Sequence, residues 1–310
     1  MANEKDAVEK QLEAYKDVFA DIINVLLFDG KEVVQEDELI DTPERSIFKV
    51  EGRMREQERD SSKFWEKGNV NILLWGLENQ TRSDSDITLR ILSYDGASYK
   101  QQVIARDEAK KQGKSLPPVF GVVTIVLYFG LEPWSGSKTL HERLKNKGST
   151  PTEFFPLIND YEARIFEIAF LEDETINKFK SDFKIVADYF SQIRKTGKYK
   201  GTTEKIQHVE AILKMFSALE RDNRFEDVLQ EMEPILGKED INMCKVLDQI
   251  EARGEARGEA RGIQETKQET IIRAYDYGIR DFSLIANISN VAVDFVKNIL
   301  SEAGRISPSV

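Results

Sequence analysis

The chain has 310 residues, 40% hydrophobic and 32% charged, which excludes a disulfide-stapled mini-protein and a disordered polymer. Its 44 Lys and Arg against 55 Asp and Glu leave a formal charge of -11, so nucleic acid and anionic membranes repel the molecule as a whole, and any polyanion must be met by a local basic surface. One cysteine, Cys244, excludes an intramolecular disulfide, and with only His141 and His208 beside it a four-ligand structural zinc site is excluded too. A reducing, cytoplasmic setting is the simplest expectation. The first residues lack the apolar stretch of a signal peptide, and the longest apolar run, Val119 to Phe129, is too short for a bilayer, so neither classical export nor a membrane partner is expected.

In chain order, Lys5 to Phe28 carries Tyr15, Val18, Phe19, Ile22, Ile23 and Leu26 at helical spacing and predicts one helix ending near Asp29-Gly30. Ser46 to Val50 is a short strand candidate, followed by a charged stretch from Arg53 to Asp60. Val70 to Leu77 is rich in large apolar residues and reads as a central strand, Leu89 to Val103 as a helix, and Val119 to Phe129 and Ala163 to Leu171 as further buried strands. Strands separated by helical patterns predict an α/β layer structure with a mixed or parallel sheet. Beyond Glu174 the pattern is helical, with Phe179, Phe183, Val186, Tyr189 and Phe190 in one stretch and Ile206 to Leu219 in the next.

The tandem Glu251-Ala-Arg-Gly repeat, running to Gly262, reads as a solvated helical linker in which each Gly weakens the helix by about 1 kcal/mol relative to Ala. A dedicated docking surface is the alternative. After it, Glu269 to Gly304 predicts three short helices resembling a helix-turn-helix. Its candidate recognition helix, Ala292 to Ser301, offers Lys297 alone as a base, so a helical cap or dimerisation module competes with a DNA reader. The expected organisation is a core over 1–172, a helical region over 173–250, a repeat linker over 251–268 and a C-terminal module over 269–310.

No Gly-rich phosphate loop and no glycine-flanked nucleophilic serine occurs. The informative constellation is Asp60 and, eighteen positions on, Glu78-Asn79-Gln80 at the end of the central strand. Strand alternation puts Glu78 and Gln80 on one side. If Asp60 lies on the adjoining segment, two carboxylates and an amide oxygen make an all-oxygen site suited to Mg²⁺. Solvated acids at a strand end are the plain alternative.

The order Asp60, Glu78-x-Gln80, Leu89-Arg90-Ile-Leu-Ser-Tyr94 and Tyr99-x-x-Gln102 resembles the PD-(D/E)XK nuclease superfamily. It is most similar to the bacterial recombination-promoting nuclease and putative transposase branch, in which Gln replaces the last Lys of the motif. Phe19-Ala-Asp21-Ile-Ile-Asn24, Leu27-Phe28-Asp-Gly30, Leu127-Tyr128-Phe-Gly130, Pro133-Trp134-Ser-Gly136, Leu140-His141 and Leu157-Ile158-Asn159 follow in that family's order, and the likeness covers residues 12 to 262.

The resemblance implies a restriction-endonuclease-like α/β core, with a central mixed sheet flanked by helices and a helical C-terminal half. It implies a DNA endonuclease dependent on Mg²⁺, or on Mn²⁺ in its place, acting in recombination, mobile elements or defence. Asp60 and Glu78 would hold the metal, Gln80 would stand where the superfamily has Lys, and Asp21 where it often has a further acid. Gln80 carries no charge and shuttles no proton, so activation of water falls to the metal or a neighbour. Arg90 and Tyr94 would position Glu78 or meet a phosphate, with Tyr94 as a core residue the alternative. Lys63 reads as a surface lysine, with reach to the scissile phosphate the alternative, Trp75 and Trp134 as packing residues, and the two histidines carry no assigned role.

DNA is the expected partner, through a basic run of Lys100, Arg106, Lys110, Lys111 and Lys114, with further runs at Lys138 to Lys147 and Arg194 to Lys200. A homo-oligomer is left open. The rival from another class is an inactive nuclease-fold protein that regulates a partner.

Overall fold

A computed structural model describes residues 10–42, 46–50, 53–57, 61–67, 70–148, 150–232 and 240–306. The chain divides into two compact units, Met1–Val246 and Leu247–Val310.

The first unit opens with helix α1 (Lys16–Phe28), followed by strands β1 (Leu39–Asp41), β2 (Ser46–Val50), β3 (Arg53–Gln57), β4 (Ser61–Lys67) and β5 (Val70–Gln80). Helix α2 (Ile87–Lys111) leads to strand β6 (Gly121–Tyr128), helix α3 (Leu140–Lys147) and strand β7 (Arg164–Glu167). Helices α4 (Phe183–Thr196), α5 (Val209–Glu220) and α6 (Arg224–Met232) form the helical half of this unit. Five strands make one mixed sheet in the order β1-β4-β5-β6-β7, antiparallel on the β1 side of β5 and parallel on the β7 side, while β2 and β3 pair as a separate hairpin. The α/β core with a central mixed sheet and a helical second half is therefore present. Among the described residues no helix is long and apolar enough to cross a membrane.

Three local expectations are corrected. The predicted single first helix is broken: residues 10–13 are helical, Tyr15 is extended at ψ 130°, and α1 begins at Lys16. The break lets the Ala14 carbonyl accept from Lys63 Nζ at 2.8 Å and the Tyr15 ring stack on His208 at 3.7 Å. Lys63 is not a surface lysine. It is 2% exposed on β4, bonded to Asp41 Oδ1 at 2.5 Å and lying 5.5 Å from the Phe19 ring. The third buried run is a strand only over Arg164–Glu167, and Ile168–Phe170 is a 3-10 turn.

The sheet's two faces follow from alternation along β5. Trp75 meets Phe28 of α1 edge-on at 6.4 Å, and Asn79 donates to Glu13 Oε1 at 2.8 Å, so one face carries the N-terminal helices. The other face is covered by α2, whose Ile87 and Ile91 pack with Val126, Tyr128, Trp134 and Ala163. The far half of α2 pins the entry to β6. Gln102 both donates to the Phe120 carbonyl and accepts from its N–H, at 3.1 and 3.0 Å, and the Tyr99 hydroxyl accepts from Val122 N–H at 3.1 Å. This is the structural reason for the Tyr99-x-x-Gln102 spacing.

The helical half joins the sheet through aromatic rings. Phe129, just past β6, lies 5.1 Å from Phe190, and Phe216 sits among Tyr189, Tyr199 and Phe225 at 4.9, 5.3 and 5.8 Å. Asp182 accepts from the backbone of Gln207 and His208 at 2.9 and 2.5 Å. Burial raises its pKa against the effect of those bonds.

The second unit contains most of helix α7 (Met243–Asp276), with helices α8 (Phe282–Ser289) and α9 (Val293–Glu302). The Glu-Ala-Arg-Gly repeat lies inside α7, which continues unbroken to Asp276, so the first of the three expected short helices is the end of a long one. Ile271, Ile285, Ala286, Val296, Ile299 and Leu300 form this unit's core.

Candidate active site

The site lies where β5 and β6 end together at the start of α2. Glu78 has Val126 as its strand partner and Gln80 has Tyr128, and the Phe129 N–H donates to the Gln80 carbonyl at 2.8 Å. Glu78 is 1% exposed on the α2 face. Gln80, two residues on and therefore on the same face, donates its amide to Glu78 Oε1 at 3.3 Å.

A carboxylate this buried needs a compensating charge, and Arg90 supplies it from the first turns of α2. Its Nη2 donates to Glu78 Oε1, and its Nη1 reaches Asp84 Oδ2 at 3.1 Å. Tyr94, one turn further along and 7% exposed, offers its hydroxyl to Arg90 at 3.4 Å. Burial of the guanidinium opposes its charge, but the field of Glu78, then Tyr94 and Asp84, outweighs that effect and raises the Arg90 pKa. The Arg90 side chain is 40% exposed and Asp84 28%, whereas the Glu78 side chain is 2% exposed, so the cluster runs from a buried acid to an open rim.

Two loops hold that rim. Asp84 Oδ1 accepts from Asp86 N–H at 2.8 Å ahead of α2, and Ser83 Oγ accepts from Ser135 N–H at 3.0 Å. A Cβ at Gly136 would come within 2.8 Å of the Asp84 carbonyl, so the Pro133-Trp134-Ser135-Gly136 turn needs glycine to close on the acidic loop. Helix α3 reaches the same loop through Arg143 Nε, 2.5 Å from Asp86 Oδ1.

The expected site residues are distributed unevenly. Glu78 and Gln80 come together. Asp60 lies outside the described residues. Asp21 belongs to α1, on the opposite sheet face, where its Oδ2 accepts from Lys180 N–H, Ser181 N–H and Ser181 Oγ at 2.9, 2.8 and 2.7 Å. Those three bonds tie α1 to the segment before α4. Asp21→Ala is expected to cost about 2 kcal/mol of stability in denaturant melts and to leave the protein's response to divalent cations unchanged. A stable variant that loses that response would contradict this structural role.

Of the expected DNA-contacting residues, Lys100, Lys110 and Lys111 are exposed on α2, and Arg106 donates to the Pro117 carbonyl. Lys110 is twenty residues beyond Arg90 on one helix, about 30 Å away along its axis. In the later runs, Lys138 lies 3.4 Å from Glu167, Arg194 donates to the Ala169 carbonyl at 2.6 Å, and Lys195 lies 2.5 Å from Asp173. Arg143 is thus the nearest member of any run to the acidic loop for which a contact there is seen. His208 bonds Asp17 at 2.9 Å and His141 the Ile158 carbonyl at 2.8 Å.

Two residues at or near the site escaped the sequence reading. Asp84 had a local signal, since Ser83-Asp-Ser-Asp86 before Ile87 is helix-start chemistry. Glu13, 2% exposed against Asn79, had none. Among the described residues no three His, Cys, Asp or Glu side chains are grouped so as to hold a metal. The donors that are gathered, the buried Glu78 carboxylate and the Gln80 amide, are hard oxygen-bearing groups of the kind that suits Mg²⁺ or Mn²⁺ rather than a soft metal.

A family model described as putative transposase, YhgA-like, matches residues 50–223. No curated protein and no solved structure matches the chain.

Proposed function

Because the chain belongs to the YhgA-like putative transposase family, a family of the PD-(D/E)XK nuclease-like type, we propose that it is a metal-dependent DNA endonuclease that adds water across a phosphodiester bond. The observation that carries this reading is Glu78, a carboxylate 1% exposed at the end of the central strand with Gln80 beside it and an open rim in front. Asp60 would share the cation with Glu78: it directly precedes Ser61, and Ser61 pairs with Leu77, the residue before Glu78. A bound Mg²⁺ would supply Lewis acidity toward a phosphoryl oxygen and toward water. Gln80, beside Glu78, would hold the attacking water by hydrogen bonding, and Arg90 would supply positive charge near the reacting phosphate.

Phosphate contacts come from Arg143 and from the exposed lysines along α2, which is long enough to follow a duplex for most of a turn. With a net charge of -11, binding rests on these local charges and weakens steeply as salt is added. The setting is cytoplasmic, in recombination, mobile elements or defence.

One observation favours a second reading, an inactive regulatory protein on the same fold: the Glu78 charge is already matched by Arg90. Nicking of a supercoiled plasmid separates the two. The endonuclease relaxes the plasmid with Mg²⁺, stops in EDTA and fails as Asp60→Ala, whereas purified wild type that leaves the plasmid intact at low salt with Mg²⁺ or Mn²⁺ favours the regulator.

A further inference from the structure

We propose that Arg90 is a latch on the site: it holds the Glu78 carboxylate until a divalent cation takes its place, and the released guanidinium then binds a DNA phosphate. The inference rests on the endonuclease reading and deepens it. Arg90 Nη2 sits on Glu78 Oε1, the oxygen nearest Gln80, so a cation sharing that oxygen and the guanidinium compete for one position. The other limb of the fork, Nη1, is bonded to Asp84 at 3.1 Å, and Asp84 lies on the half-open rim. A guanidinium that leaves Glu78 therefore stays tethered at the mouth, as a planar fork suited to phosphate oxygens. Its side chain is 40% exposed, leaving it room to move, and Gln80, the neighbouring polar group on the strand, carries no charge that could do the same work. The position of Arg90 early in α2 fixes its stem, so the swing is confined to the side chain.

The test is titration calorimetry of Mn²⁺ into wild type, Arg90→Gln and Glu78→Gln, with melts to establish that each is folded. With the competing charge removed, Arg90→Gln half-saturates at about a tenfold lower Mn²⁺ concentration than wild type. Its affinity for a duplex oligonucleotide, measured by anisotropy with Ca²⁺, falls about tenfold. Arg90→Lys, which keeps the charge but loses the two-limbed reach, moves both values the same way by less and carries the test if the neutral variant does not fold.

A residue that merely stiffens the site gives the opposite sign, weaker cation binding on removal, and that result or an unchanged titration overturns the latch alone. Unchanged DNA affinity overturns the phosphate half of the proposal. Cation binding that survives in Glu78→Gln, or is absent from wild type and Arg90→Gln alike, overturns the endonuclease reading itself.

Discussion

Glu78→Gln is expected to lower Mg²⁺-dependent DNA cleavage about 10²–10³-fold, a loss of ~3–4 kcal/mol of transition-state stabilisation, while the protein stays folded. The amide has the shape of the carboxylate, so the packing around a side chain 1% exposed is kept. Removing one buried charge leaves Arg90 with Asp84 at 3.1 Å on a half-open rim, where water can solvate it. The thermal midpoint should therefore move by a few degrees at most, and single-turnover cleavage beside a melt separates lost chemistry from lost structure. A variant that cuts at the wild-type rate would remove Glu78 from the site.

Phe216→Ala should give the largest loss of stability, about 4 kcal/mol, or roughly a 10 °C fall in melting temperature for a unit of this size. Phe216 is 0% exposed, with Tyr189, Tyr199 and Phe225 around it at 4.9 to 5.8 Å. Truncation leaves a cavity lined by rings that cannot collapse into it, and it removes three ring contacts at once, the one with Tyr189 edge-to-face. Because the cluster continues through Tyr189 and Phe190 to Phe129 at the end of β6, the loss should appear as one cooperative transition of helices and sheet. Two separate transitions within residues 1–246 would show instead that the helical half folds on its own.

What the sequence disclosed follows from how locally each signal was written. Val70 to Leu77 and Val119 to Phe129 were legible because a strand buried on both faces must be continuously apolar. Ser61 to Lys67 was not, because its alternation is carried by a lysine whose ammonium is buried against a carbonyl and an aspartate brought from other elements. The strand Arg53–Gln57 was hidden because four of its five residues, Arg53, Arg55, Glu56 and Gln57, are polar. Glu78 and Gln80 were legible as a pair, since alternation alone puts them on one side. The hydrogen bonds of Asp21 were not, its partners lying about 160 positions away in the chain. Arg90 was legible as a neighbour of Glu78 but not as its counter-ion, because the reach of a guanidinium across α2 to both Glu78 and Asp84 is a property of the folded corner. The Gly-bearing repeat was expected to weaken a helix, yet α7 runs through it, with Ala, Glu and Arg supplying helix propensity around each Gly.

The central claim is that Glu78 holds the cation on which DNA cleavage depends, and calorimetric titration of Mg²⁺ into wild type and Glu78→Gln tests it most directly. The account predicts saturable binding in wild type and none at that site in the variant. Equal binding by the two proteins would contradict it.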